Sequence, residues 1–226
     1  MSTLGHYFSE EAKALPNVFY KVQPQVLRTV LLTLQRAIAA TVAVLGEVRV
    51  LEPRFTRQLA ADFESARDAT PGSPRYDIVH QPELPITNAE GIVVRYRRLD
   101  IRILFARQLG CRGDYLCLEC KYLDATDRAT DADYVDEGVE RIVSGEYAAG
   151  HPWAVMVGLE RVGPLAVSVS HVDERLRARY GPEGAFTATP RVRLTFVRES
   201  QHSQAGGPHR ITIIHGFFLI TGPAPV

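Results

Sequence analysis

Three residues in the middle of the chain have the types and spacing to do chemistry together: Asp100 in the run RRLDIRILF and, nineteen positions later, Glu119 and then Lys121 in YLCLECKYL. Two carboxylates on one surface make a site for a hard divalent cation. Magnesium takes one or two protein carboxylates, keeps several waters and completes its shell from phosphate oxygens. Such an ion polarises a phosphodiester and lowers the pKa of a bound water. Lys121 beside it can orient that water or stabilise the developing negative charge, and the carbonyl of Cys120, between the two charged residues, can add one more oxygen. A Glu-x-Lys spacing is equally what a plain surface salt bridge between Glu119 and Lys121 needs, and the spacing alone leaves both readings open.

The elements that must position these residues are two strands. Asp114 to Asp124 is a run of β-formers, and a period of two sends Cys117, Glu119 and Lys121 to one face and Leu118, Cys120 and Tyr122 to the other. Charges placed in such a strand cost free energy unless they meet each other, a metal or a polar ligand. Upstream, Arg98 to Phe105 alternates in the same way. Leu99, Ile101 and Ile103 form its core face, and Asp100 lies opposite with Arg98 and Arg102. The glycines in Ala106 to Gly113 predict a hairpin connection, which would bring Asp100, Glu119 and Lys121 onto one surface.

The rest of the chain supplies the frame. Residues 1 to 23 read as an irregular arm or short helix. The apolar spacing of Gln25 to Val44 predicts a largely buried helix ended by Gly46. A second helix starts at Leu51, with Pro53 in its first turn and Phe55, Leu59 and Phe63 as its stripe. Tyr76 to Pro82 reads as a strand, Glu83 to Pro85 as a Pro-rich turn, and Gly91 to Tyr96 as a run leading into the Asp100 strand. After a polar loop with capping residues, Ala125 to Asp131, a helix is expected over Tyr134 to Tyr147. Its internal Gly138 costs up to ~1 kcal/mol relative to Ala, which predicts a close approach to another element. Trp153 to Leu159 is a strand buried on both faces. A short extended piece at Leu165 to Ser170, a helix at Asp173 to Tyr180 and two strands, Arg191 to Val197 and Ile211 to Ile220, joined by a polar loop over 198 to 210, complete the reading. The expectation is an α/β fold with a mixed central sheet flanked by helices, in a single domain over 1–226.

Bulk composition excludes several classes. With 46% hydrophobic and 23% charged residues the chain is that of a globular protein rather than a disordered one. Its 26 basic and 26 acidic residues cancel, so no global field steers it to nucleic acid and any such contact must be local. One local source is the arginine run Arg95, Arg97, Arg98, Arg102, Arg107 and Arg112, whose plain reading is an exposed basic face. Cys111, Cys117 and Cys120 are too few for a disulfide framework, and residues three apart in a strand face opposite ways, against a zinc site at Cys117 and Cys120. No stretch has the ~18 consecutive apolar residues of a membrane span, and the N-terminus lacks a secretory layout, so no membrane partner and a cytoplasmic location are expected. His202, His209 and His215 match no metal motif and read as structural or exposed. No nucleophile elbow or P-loop is present.

On Asp100 in RRLDIRILF and Glu119-Cys120-Lys121 in YLCLECKYL, in that order and each in an apolar strand, the chain resembles the PD-(D/E)xK, restriction-endonuclease-like nucleases. The similarity covers roughly Leu51 to Leu159, with an N-terminal helical extension (1–50) and a C-terminal strand extension (160–226). The run from ECKYLD through EGVERIVSGEY to WAVMVGLE is most similar to small restriction-like proteins of bacterial anti-phage defence loci. Leu99 stands where the family name has a proline.

The resemblance implies an αβββαβ core, Asp100 and Glu119 as ligands of Mg2+ (or Mn2+ in its place), and Lys121 as the catalytic lysine. Many members add a helix glutamate. Glu52 is the candidate here, with Glu64 and Glu83 as competitors. Arg141, seven residues after Tyr134, is placed to reach a phosphate or to buttress the site. The function implied is metal-dependent hydrolysis of DNA phosphodiester bonds in a defence system, with a partner subunit from the same locus or a second copy of the chain as the expected protein partner. The alternative is a non-catalytic scaffold or binding subunit of the same fold, which the zero net charge favours. RNA or a nucleotide as substrate is a third reading.

Overall fold

Apolar residues at helical spacing build α1, Pro24–Leu45, whose Leu27, Val30, Leu31, Leu34 and Ile38 are buried. By length and composition α1 could also cross a membrane. The computed structural model describes residues 23–45, 51–71, 76–87, 93–105, 115–205 and 209–220, with only the backbone described over 83–87 and 93–97. Helix α2, Glu52–Asp68, follows with Pro53 in its first turn and Phe55, Leu59 and Phe63 inward. Both helices cover one face of a six-stranded sheet formed by β1 (Tyr76–His80), β4 (Ile101–Phe105), β5 (Leu116–Leu123), β6 (Trp153–Glu160), β8 (Arg210–Leu219) and β7 (Val197–Ser203), in that spatial order. Strands β2 (Glu83–Thr87) and β3 (Val93–Arg98) pair with each other as a separate antiparallel ribbon.

The sheet is mixed. β1, β4 and β5 run antiparallel in turn, β5, β6 and β8 are parallel, and β7 returns antiparallel at the far edge. The crossover from β5 to β6 is a continuous helix made of α3 (Arg128–Asp133), a π-helical stretch (Tyr134–Val139) and α4 (Glu140–Val143). With α5 (Leu165–Tyr180) it covers the second face. Two cores result. Ile78, Ile101, Ile103, Leu118 and Val157 pack under α1 and α2. Cys117, Met156, Ile213 and Phe217 pack under Tyr134, Val139, Ile142 and Val172. The α/β class, the mixed sheet between helices, the N-terminal helix and the C-terminal strands are as the sequence predicts.

Several expectations are corrected. The run Arg98 to Phe105 is two strands: the chain breaks at Leu99 and Asp100, and Leu99 packs in the second core while Ile101 and Ile103 pack in the first. Glu83 begins a strand rather than a turn. The polar stretch before Tyr134 is already helical from Arg128, because Asp127 accepts a hydrogen bond from the amide of Ala129 and caps it. The helix ends at Val143. Leu165 to Tyr180 is one helix, since Ser168, Val172 and Leu176 are buried at a spacing of four. The penultimate strand is Val197–Ser203, which keeps only Val197 of the expected strand and otherwise falls in the expected loop, and Arg191 to Phe196 lie outside it. Its polar side chains have buried partners, a condition no hydrophobic pattern reveals. Residues 1–22 of the N-terminal arm, Gly46 and the 106–113 connection lie outside the described residues.

Candidate active site

The site forms where β4 departs from β5. Among the described residues their ladder covers Ile101↔Leu118, Arg102↔Cys117 and Ile103↔Leu116, whereas the other edge of β5 stays paired with β6 from Cys117 to Leu123. The break at Leu99 and Asp100, where the Asp100 carbonyl accepts from the Gln81 amide at 2.8 Å, removes the neighbour strand from the second half of β5. Backbone donors on a strand edge need acceptors, and here side chains provide them. The Cys120 amide donates to Asp100 Oδ2 at 2.8 Å and the Tyr122 amide to Glu52 Oε2 at 3.2 Å. In a strand the N–H and C=O of one residue share an edge, so the Cys120 carbonyl lies on this opening beside Asp100.

Glu119 and Lys121 face the crossover helix. Glu119 is 3% exposed. Its Oε1 accepts from Arg141 Nη1 at 3.0 Å, while its Oε2 is buried with no hydrogen-bond partner. Lys121 Nζ donates to Glu137 Oε2 at 3.1 Å and lies 3.7 Å from Glu52 Oε1. The two strand residues therefore take their ion partners from other elements rather than from each other. Gly138 permits this: a Cβ there would collide with Met156 Cε and come within 3.4 Å of Lys121 Cγ. The close approach predicted for Gly138 is thus between helix and sheet, and it sets Glu137 against Lys121 and Arg141, one turn on, against Glu119. The π-helical geometry of Tyr134–Val139 sits at this contact, and such turns mark functional sites often.

The electrostatics follow from burial. Desolvation pushes Glu119 up to about 8, with the neighbouring Asp100 carboxylate adding to it and Arg141 and Lys121 opposing. Asp100 is pushed up to about 6, again by burial first, with the Cys120 amide acting against the rise and Glu52 adding to it. Burial alone would lower Lys121, but Glu52, Glu137 and Glu119 outweigh it and hold its ammonium above the ordinary value. The thiols of Cys117 and Cys120 are raised by burial and by the carboxylates, which leaves them unreactive. These two cysteines lie in different cores.

Asp100, Glu119, Lys121, the Cys120 backbone, Glu52 and Arg141 are thus brought together. Glu64 is exposed toward the far end of α2, and the side chain of Glu83 lies outside the described residues. Glu137 was missed by sequence reasoning. Its one signal was the four-residue spacing to Arg141, which puts both on one helix face.

Among the described residues no group of three or more His, Cys, Asp and Glu is gathered as a metal cage. The donor set on offer is two carboxylates and a carbonyl, which matches the few protein ligands magnesium takes. The orphaned Glu119 Oε2 and two carboxylates pushed upward by burial are what a dication would settle. Fully ionised, the four carboxylates Glu52, Asp100, Glu119 and Glu137 against Lys121 and Arg141 leave a formal −2 (−4 + 2). Comparison of the chain with protein families, with curated proteins and with solved structures finds no match.

Proposed function

We propose that this protein is a magnesium-dependent endodeoxyribonuclease of the PD-(D/E)xK kind, acting in bacterial defence. The observation that carries the reading is the buried, unpartnered Oε2 of Glu119 beside Asp100 at the opening between β4 and β5. Asp100, Glu119 and the Cys120 carbonyl would hold the metal, and Glu52, against the Tyr122 amide, stands at its margin. Bound there, magnesium (or manganese in its place) would supply Lewis-acid polarisation of the phosphodiester and a water of lowered pKa.

The chain's own residues do the rest. The Cys120 amide fixes the orientation of Asp100, and in the metal-free protein Arg141 holds Oε1 of Glu119. Lys121, kept cationic by the surrounding carboxylates, orients the attacking water or neutralises charge on the phosphoryl oxygens. Zero net charge suits a nuclease whose grip on DNA comes partly from a partner subunit or a second copy, and double-strand cutting needs two such sites.

A second reading, a non-catalytic scaffold or binding subunit, draws on the two ion pairs that already engage Glu119 and Lys121. Incubation with supercoiled plasmid, linear duplex, single-stranded DNA and RNA, in magnesium, manganese or EDTA and beside Lys121→Ala, separates the two. Metal-dependent cutting of DNA that Lys121→Ala loses is the expected result. Equal behaviour of both proteins on every substrate would leave the scaffold reading standing.

A further inference from the structure

Glu119 and Lys121, two apart on β5, are matched by Arg141 and Glu137, four apart on the crossover helix, with each charge set against its opposite. In this arrangement both strand groups are engaged: Arg141 occupies one oxygen of the proposed metal ligand, and Glu137 occupies the ammonium that would face substrate. The geometry also offers another pairing. Glu137 and Arg141 stand at i and i+4 with the acid N-terminal, the favourable orientation on a helix. The side chains of Glu137 and Arg141 are 51% and 29% exposed, so both have room to turn, whereas that of Lys121 is 14% exposed and also lies by Glu52.

Resting on the metal-site reading above, we propose that Glu137 and Arg141 are positioning residues that exchange partners when a divalent cation binds. The cation displaces Arg141 from Glu119, Arg141 turns to Glu137, and Lys121 is released toward the phosphodiester while Glu52 remains beside it. Resting protein then presents no free ammonium to phosphate, and the site is armed only once the metal is in place. Glu137 serves as the acceptor that makes departure of Arg141 from Glu119 favourable, so it supports metal binding without touching the metal.

The test is a double-mutant cycle on Mn2+ affinity, measured calorimetrically on the full chain with Arg141→Gln, Glu137→Gln and the double variant, and with Glu119→Gln as the ligand control. Arg141→Gln is expected to bind Mn2+ more tightly, since a competitor is gone. Glu137→Gln is expected to weaken binding by about tenfold in the wild-type background and to have a much smaller effect once Arg141 is removed, the non-additivity of residues that act as a unit. An equal loss in both backgrounds, or weaker binding by Arg141→Gln, overturns the exchange while leaving the metal site intact. Absence of Mn2+ binding by the wild type, or binding that Glu119→Gln leaves unchanged, overturns the metal site and the exchange with it. Thermal melts of all variants verify folding, and Arg141→Met, which keeps the apolar stem, carries the cycle should Arg141→Gln not fold.

Discussion

The crossover helix covers two buried polar clusters on the same face of the sheet, and they have opposite characters. One is closed. Tyr134 Oη lies 2.9 Å from His215 Nδ1, His215 Nε2 lies 2.7 Å from Ser200 Oγ, and Ser200 Oγ lies 2.8 Å from His202 Nε2, with His202, the most accessible of the four, 5% exposed. Among the described residues the Tyr134 hydroxyl proton has its acceptor in His215 Nδ1, so with neutral rings His215 donates from Nε2 to Ser200, and Ser200 donates to His202. Every contact in the chain is used once. The other cluster, around Glu119, is left incomplete, with one carboxylate oxygen unmatched. Burial shifts both sets toward neutrality, His202 down to about 4 and Glu119 up to about 8. The closed cluster is satisfied within the fold, and the incomplete one is where, on the proposed reading, a metal ion would add what the protein lacks.

Substitutions should therefore act on different observables in the two places. The largest effect is expected from Lys121→Ala and Glu119→Ala, each lowering metal-dependent DNA cleavage by at least ~100-fold with little change in melting temperature. A matching loss of melting temperature in both would mean that the pair is structural and the contrast false. Next, Ser200→Ala should cost ~1–3 kcal/mol of stability by removing the bridge between two buried imidazoles, as read by denaturant titration. Cleavage per folded molecule should be unchanged, and a large fall in it would place the closed cluster in the chemistry.

The smallest expected effect is on pH dependence, and here the clusters have opposite signs. His202 has its folded pKa below the unfolded value, so its contribution is lost as pH falls through about 6.5 toward about 4. Glu119 has its folded pKa raised, so its contribution is present at low pH and is lost as pH rises toward about 8. Metal-free protein should thus lose stability between about pH 6.5 and about 8, and Glu119→Gln should flatten that slope. Urea midpoints across this window, unaltered in Glu119→Gln, would remove Glu119 as the source.

Much of this was legible beforehand where a residue's environment is set by its own strand or helix. The alternation in LCLECKYL separated Glu119 and Lys121 from Leu118 and Cys120, and the all-apolar WAVMVGL marked a strand buried on both faces. Polar strand β7 escaped, because the burial of its polar side chains rests on partners that an apolar pattern does not show, His215 of β8 for Ser200 and the Val192 amide for Glu199. Glu137 escaped for a related reason. An acidic residue on a helix looks solvated until the sheet beneath it is known to present an ammonium.

By itself the sequence determined the α/β class, the strand carrying Glu119 and Lys121, and Asp100 as their companion, since hydrophobic periodicity and chain order are local quantities. Only the tertiary structure decided that β4 would break away at Asp100 and leave a gap, and that the carboxylates of Asp100, at that break, and of Glu52, on α2, would take up the freed amides of β5. It alone paired Arg141 with Glu119 and Glu137 with Lys121. Those outcomes depend on distances between elements far apart in sequence, where the energy of a charge is set by its burial and by its neighbours rather than by its position in the chain.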